Sequence, residues 1–147
     1  MSASGNWGSY SGSCSVATLG SDLILSCLGS GNFIPAFNTT VRVLIVAGGG
    51  AGGGSAYWAG NDGPGAGGGA GGQVRDISGL AVTQSTTYAI VVGAGGTTNW
   101  VANGNAGGNS SAFGYISIGG NGGYANRNDY ATRSEERRVG KECRSRW

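Results

Sequence analysis

The sequence predicts an all-β protein with a thin apolar core and ordered glycine-rich segments. Glycine accounts for 33 of the 147 residues, and fewer than one residue in five is Leu, Ile, Val or Phe. These apolar residues cluster in short runs that are rich in β-branched side chains, which is typical of strands. Low apolar content indicates disorder only together with high net charge, and the formal net charge here is +2. We therefore expect a folded β domain.

The first strands are predicted from apolar runs between turn-forming residues. Met1–Gly20 is rich in Ser and Gly, and we expect an irregular segment or an edge strand; it lacks the basic start and apolar core of a signal peptide. Strands are expected at Ser21–Leu28 and Asn32–Phe37. Val41–Ala47 is the clearest strand, and Arg42 indicates that one face near its start is open to water.

The second half of the chain repeats a pattern in which a strand enters glycine. Short strands are expected at Gly72–Ile77 and Leu80–Thr83, separated by a turn at Ser78–Gly79. Thr86–Val92 and Ser111–Ile118 are predicted strands that lead directly into glycine, as Val41–Ala47 does. Three occurrences of the same arrangement indicate that the glycine blocks are structural parts of one design.

Two structures remain open for the glycine blocks. Without Cβ atoms, they can form extended helices of the polyproline II type, with three residues per turn, which pack closely side by side. Such packing requires that the buried N–H and C=O groups find partners. The alternative is disordered loops between strands, which the conformational entropy of glycine favours. We expect packed polyglycine II helices.

One glycine pattern resembles half of a nucleotide-binding motif. Gly48, Gly50 and Gly53 follow a predicted strand with the spacing G-x-G-x-x-G. A phosphate site also needs the N-terminus of a helix, and the sequence that follows contains Pro64 and many glycines, which oppose a helix. We therefore predict a scaffold role and no bound cofactor, with nucleotide binding as a minor alternative.

The C-terminal segment 133–147 differs from everything before it. Its sequence, RSEERRVGKECRSRW, resembles the translation of a sequencing-library adapter, so we expect it to be non-native; the alternative is a solvated basic tail. It holds six of the nine basic and three of the seven acidic residues, so the rest of the chain has a net charge of −1. On this basis we divide the chain into an N-terminal segment (1–28), a glycine-rich β domain (29–132) and the tail, and expect the natural chain to continue beyond Thr132.

Few side chains are suited to catalysis, metal binding or nucleic-acid binding. The chain has no His, and the acidic residues outside the tail are dispersed, so we expect neither an enzyme nor a metal site. Only three basic residues remain outside the tail, too few for binding nucleic acid or an anionic membrane. They are Arg42, Arg75 and Arg127.

Cysteine and asparagine patterns leave further expectations. Cys14 and Cys27 can form one disulfide or remain two thiols, and without a secretion signal we expect reduced thiols. Asn38 and Asn109 begin glycosylation patterns, but we expect them to act as turn residues.

Several segments together resemble the glycine-rich domain of bacteriophage tail-fibre and adhesin proteins, which also occurs in bacterial surface proteins. The similar segments are GSGNFIPAFNTTVRVLIVAGGGAGG (29–53), GGGAGGQ (67–73), TYAIVVGAGG (87–96) and GGNSSAFGYISIGGNGG (107–123). The resemblance implies a jelly-roll β-sandwich whose glycine insertions form stacked polyglycine helices and whose loops contact a host receptor. It also implies a virion tail fibre or cell surface as the location, with identical subunits or other fibre proteins as partners. Gln84–Ser85 stands where the family often has Pro-Gly, and no fibre shaft or trimerisation coil is recognisable.

Aromatic and amide side chains interrupt two glycine blocks and are the candidate receptor contacts. Such residues on loops of a rigid scaffold are suited to stacking on sugar rings or anchoring a protein contact. The alternative is that Trp58 and Trp100 cap the ends of the apolar core. We thus expect a receptor- or glycan-binding adhesin domain, and otherwise a purely structural fibre or coat module. The candidate residues are Tyr57, Trp58, Asn61 and Asp62 in the first block, and Asn99, Trp100 and Asn103 in the second.

Overall fold

Short antiparallel strands form the framework of the protein. A computed structural model describes residues 2–5, 7–54, 66–98 and 102–125, and within them every regular element is a strand. The all-β prediction is therefore confirmed. The strands are β1 (Ser2–Gly5), β2 (Gly8–Ser11), β3 (Cys14–Leu19), β4 (Asp22–Cys27), β5 (Gly31–Pro35), β6 (Thr39–Val46), β7 (Val74–Val82), β8 (Tyr88–Val91), β9 (Ser110–Ala112) and β10 (Tyr115–Ser117).

The strands form one large sheet and two separate ribbons. The large sheet has six strands in the order β1-β2-β5-β8-β9-β10, and the ribbons are β3-β4 and β6-β7. Three strands lie within Met1–Gly20, so the expectation of an irregular segment or a single edge strand there was wrong. Two of them, β1 and β2, join β5 in one sheet, which therefore crosses the predicted boundary between residues 28 and 29.

The β3–β4 ribbon, which we call the arm, continues from the β2–β5 pair. Gly12 lies at the bend with φ +92, and the arm beyond it pairs with no other strand among the described residues. The register sets Cys14 directly opposite Cys27, with 4.0 Å between their Cα atoms, and the two cysteines form a disulfide. The expectation of reduced thiols was wrong, because the hairpin register brings the two side chains together and the sequence alone does not reveal that register.

The β6–β7 ribbon is one continuous pair, whereas the sequence predicted two short strands around a turn at Ser78–Gly79. The register places Val41 opposite Leu80 and Val43 opposite Ile77, so β7 holds one extra residue there. Gly79 has φ +68, and this conformation forms a β-bulge within the strand. The turn prediction was therefore wrong, because a bulge and a turn share the same sequence signal.

The Arg42 and Asp76 side chains form an exposed ion pair across the same ribbon. Arg42 Nε lies 2.9 Å from Asp76 Oδ1, and a second guanidinium nitrogen donates to Oδ2. This hydrogen bonding, assisted by the positive charge, holds the pKa of Asp76 below its usual value and raises the pKa of Arg42. The prediction that Arg42 faces water is confirmed.

The predicted strand Ser111–Ile118 is in fact a hairpin. β9 and β10 pair around Phe113 and Gly114, which have φ 53 and 82, as a two-residue turn of type I′ requires. A second turn, at Gln84–Ser85, is held by Asn38 Oδ1, which accepts from the amide of Gln84 at 2.7 Å. Asn109 Oδ1 accepts from the amide of Gly119 at 2.9 Å, but this bond joins the residue before β9 to a residue after β10. The turn prediction is therefore confirmed for Asn38 and was wrong for Asn109.

The core is thin and the layers are joined by both apolar and polar contacts. β6 lies against β9 and β10, and the fully buried Ser117 hydroxyl donates to the carbonyl of Ile45 at 3.1 Å. Phe33 is buried between Trp7 and Phe113, with ring centroids 5.9 and 6.3 Å away. The packing of β6–β7 onto one end of the large sheet gives the sandwich-like architecture that was predicted.

Candidate functional site

Five extended glycine-rich segments stand side by side at one end of the strands. The first (47–54) follows β6, the second (66–73) leads into β7, the third (92–98) follows β8, the fourth (102–109) leads into β9 and the fifth (118–125) follows β10. Each segment thus begins or ends at a strand, so the sheet framework fixes where the segments start.

Hydrogen bonds from the first segment repeat every three residues. Toward the second segment, the amides of Ala47, Gly50 and Gly53 donate to the carbonyls of Gln73, Ala70 and Gly67 at 2.8–3.0 Å. Toward the fourth, the amides of Gly48, Ala51 and Gly54 donate to Gly108, Asn105 and Ala102 at 2.9–3.0 Å. A period of three is that of an extended helix with three residues per turn. The glycine blocks are therefore packed polyglycine II helices in the described segments, as predicted, and not disordered loops.

The remaining contacts join all five segments into one bundle. The fifth segment donates to the first through Gly120 and Gly123, while the third is attached through the bond from Gly96 to the carbonyl of Gly49. The first segment consequently bonds to each of the other four and lies at the centre of the bundle. Further bonds at 2.8–3.1 Å link the second and fourth segments to the fifth, and the fourth to the third.

The G-x-G-x-x-G pattern lies inside this bundle. The amides of Gly48, Gly50 and Gly53 all donate to backbone carbonyls of neighbouring segments. A phosphate cradle needs such amides to be directed at the ligand, and these are already bonded. Within the described residues, the segment that returns at 66–73 is also extended rather than helical. The pattern is a structural part of the bundle.

The bundle contains two kinds of glycine, which differ in the space available for a Cβ atom. A Cβ on Gly50 would overlap the carbonyl of Asn121, and one on Gly107 would overlap the carbonyl of Gly48. At Gly49 a Cβ would meet its nearest atom at 3.6 Å, and at Gly71 it would meet nothing within 4 Å. The first kind maintains the spacing between helices, whereas the second faces space that a side chain can occupy.

The two candidate loops, 55–65 and 99–101, begin and end where the segments lie farthest from the strands. We call the residues that flank each loop its stem. Gly54 and Ala102, which end the first segment and begin the fourth, are joined by a hydrogen bond of 2.9 Å. Gly53 bonds to Gly67 on the other side, also at 2.9 Å. The chain therefore leaves and re-enters the bundle at adjacent positions for both loops.

Most of the predicted contact residues fall outside the described part of the chain. Tyr57, Trp58, Asn61 and Asp62 lie in 55–65, and Asn99 and Trp100 lie in 99–101. Asn103 is described, and its Oδ1 accepts from the amide of Ala125 at 2.8 Å. The structure thus assigns Asn103 a role in joining the fourth and fifth segments at the loop end.

Tyr124 is a surface aromatic that the sequence reasoning missed. Its side chain is 80% exposed, while its carbonyl accepts from Gly67 at 3.0 Å beside the loop stems. An available signal was its position immediately after Gly119–Gly123, because aromatic residues also interrupt the first two glycine blocks.

Charged and metal-binding groups are sparse in the described residues. Within 2–5, 7–54, 66–98 and 102–125, no three His, Cys, Asp or Glu side chains lie together as a metal site would need. In the same part of the chain, no helix has the length and apolar character needed to cross a membrane.

Comparison with known proteins assigns the chain to a family. A family model described as glycine-rich domain matches residues 27–145, which begins at the end of the arm and runs through the whole bundle. The match also includes most of the tail 133–147. No curated protein matches the chain. Because the match covers most of the sequence, the chain belongs to the glycine-rich domain family.

Proposed function

We propose that this chain is a non-enzymatic glycine-rich domain of a phage tail fibre or cell-surface adhesin, which presents loops for binding a receptor or glycan. The observation that carries the proposal is the convergence of both loop stems at one end of the bundle, where Gly54 bonds to Ala102. Two loops that start at adjacent positions can contribute to one contact surface. Their aromatic residues, Tyr57, Trp58 and Trp100, supply the groups suited to stacking on a sugar ring.

The bundle is a suitable support for such loops because its backbone groups bond to one another. Hydrogen bonds recur at every third residue of the first segment in two directions. A rigid support lowers the ordering cost that binding loops otherwise impose. Tyr124, exposed beside the stems, adds a further aromatic group at that end.

The proposed location is a virion tail fibre or a cell surface. The Cys14–Cys27 disulfide supports it, since disulfides persist mainly in oxidising environments. We propose a host receptor or glycan as the partner, no cofactor, and no binding of nucleic acid or insertion into membranes. Arg42, one of the few basic residues outside the tail, is already paired with Asp76. We assign the tail 133–147 no part in this function, as an adapter-derived segment.

A purely structural fibre or coat module is the second candidate. The observation that favours it is the extent of internal bonding, since a bundle that joins all its segments serves mechanical cohesion without any ligand. The two candidates differ in what the loop aromatics contact: a receptor in the first, and neighbouring subunits in the second.

Binding of the full chain to an array of bacterial surface polysaccharides and to intact cells of a bacterial panel tests the proposal. We expect binding that Trp58→Ala and Trp100→Ala each weaken at least about tenfold, because truncating an aromatic contact at the centre of an interface commonly costs 2 kcal/mol or more. Leu44→Ala is the control, since Leu44 is 64% exposed on β6, away from the loop stems.

Two results would count against receptor binding through these loops. One is the absence of binding to every polysaccharide and cell type, which favours the structural module. The other is binding that neither tryptophan variant weakens, which places the contact elsewhere on the domain.

A further inference from the structure

The arm carries exposed apolar side chains on both of its faces. Leu19 is 68% exposed, Leu23 48% and Ile24 45%, and Leu23 and Ile24 point to opposite faces because they are adjacent in a strand. Beyond the bend, neither β3 nor β4 pairs with any other described strand. An isolated hairpin is marginally stable in water, and three or more strands with an apolar face are normally needed. The disulfide closes only the base of the arm.

The edges of the arm lack the features that normally prevent strand pairing. Exposed edges usually carry Lys, Pro or a bulge. β3 has the sequence CSVATL and β4 the sequence DLILSC, and their register is continuous from the Cys14–Cys27 pair to the Leu19–Asp22 pair. The only charged residue in either strand is Asp22, at the turn. Both outer edges therefore present backbone groups that pair with no other strand in the described part of the chain.

We propose that β4 pairs in antiparallel fashion with β4 of a second copy of this chain, so that two arms form a four-stranded sheet. A two-fold axis generates antiparallel pairing of identical strands, which makes a second copy a self-complementary partner. The two-fold axis places Ile24 opposite Ile24 of the second copy at the centre, so Leu23 faces Leu25 and Asp22 faces Ser26, and no like charges meet. β4 is the pairing edge because Leu23, Ile24 and Leu25 form an unbroken run of large aliphatic residues.

The backbone of β4 is arranged for this pairing. Leu19 and Asp22 flank the two-residue turn at Gly20–Ser21 and therefore bond to each other. Because bonded and non-bonded pairs alternate along an antiparallel ladder, the amides of Leu23 and Leu25 point away from β3. Pairing along one six-residue edge buries well below the roughly 800 Å² that each partner buries in a standard interface. Association of the arms is therefore concentration-dependent.

Sedimentation velocity of the full chain at increasing concentration tests this inference. The background is Cys143→Ser, which removes a cysteine able to form an unrelated intermolecular disulfide while the Cys14–Cys27 bond stays oxidised. We expect a monomer–dimer equilibrium. Leu23→Lys places a charge on the contact face and Leu25→Pro removes an outward amide, and each should raise the dimer dissociation constant at least about tenfold.

Leu44→Lys is the matched control, since it charges an exposed leucine of β6 rather than of the arm. It should leave the dissociation constant unchanged. A chain that stays monomeric at every concentration overturns the inference, as does a dimer that persists in both arm variants. Equal loss in Leu44→Lys would overturn it too. A non-reducing peptide map that still links residues 14 and 27 shows that Leu25→Pro leaves the base of the arm closed, and Leu23→Lys tests the contact without altering the backbone.

Discussion

Gly50 lies so close to the carbonyl oxygen of Asn121 that a Cβ has no room between them. Its amide donates to the carbonyl of Ala70 at 2.8 Å on another side, so the residue is enclosed by the second and fifth segments. Moving either segment away would break hydrogen bonds that recur along the bundle. Glycine at this position is therefore needed for the spacing between helices and not for a turn.

The first prediction compares Gly50→Ala with Gly49→Ala. Gly50→Ala should destabilise the domain by about 3 kcal/mol, the upper part of the usual range for overpacking, because backbone and not a flexible side chain must yield. Gly49→Ala should be neutral or stabilising by up to about 1 kcal/mol, since a Cβ there is 3.6 Å from its nearest atom and alanine restricts the unfolded chain. Chemical denaturation of both variants measures the difference, and equal effects would contradict the bundle geometry.

The second prediction concerns backbone amide hydrogen exchange. Gly50 and Ala70 donate hydrogen bonds within the bundle, whereas Gly49 and Gly71 donate none to the described part of the chain. Bonded amides should therefore exchange at least about a hundredfold more slowly than these neighbours, in a pattern that repeats every three residues. Residue-resolved NMR measures the rates. Rapid exchange throughout 47–54 would instead mean that the segments are not packed in solution.

The sequence predicted the type of structure that the glycine segments form, but not which segments lie next to each other. Runs of glycine after Val41–Ala47, Thr86–Val92 and Ser111–Ile118 indicated packed extended helices, because few other ordered structures suit such composition. Which segment neighbours which depends on the strand pairings, as β5 with β8 and β8 with β9 show. Those pairings join residues distant in sequence, and local patterns do not encode them.

The errors in the strand predictions arise because a glycine within a strand-like run is compatible with a strand, a bulge or a turn. Gly79 forms a bulge and Gly114 a tight turn, yet each is a glycine in an otherwise strand-like run. The Cys14–Cys27 disulfide depends on the register of a hairpin, which local sequence does not reveal either. For the candidate site, sequence identified residues that interrupt the glycine blocks, while the adjacency of the stems at Gly54 and Ala102 required the structure.

The third prediction concerns acid sensitivity at the Arg42–Asp76 pair. The hydrogen bond from Arg42 lowers the pKa of Asp76 in the folded state, so its contribution is fully present above the pKa of the unfolded chain. That contribution is lost as the pH falls through the lower, folded-state pKa. Both side chains are exposed, so the effect should be small and reduced by salt. Denaturation of the wild type and Asp76→Asn should show stabilities that converge in acid; a constant difference would contradict the assignment.

The fourth prediction concerns Phe113, which adopts φ 53 at the first position of the β9–β10 turn. That conformation is unfavourable for a bulky residue, but the centroid of the Phe113 ring lies 4.9 Å from that of Tyr88 and 6.3 Å from that of Phe33. Phe113→Gly relieves about 1–2 kcal/mol of backbone strain and removes the contacts of a half-buried ring, whose full burial is commonly worth about 3–5 kcal/mol. Half of that burial value, less the strain relieved, leaves an expected net destabilisation of about 0.5 kcal/mol. Gly114→Ala provides the comparison for backbone strain alone, because a Cβ there meets no atom within 4 Å while φ is 82. Chemical denaturation should show both variants to be destabilised; a more stable Phe113→Gly would mean that strain at this turn outweighs the aromatic packing.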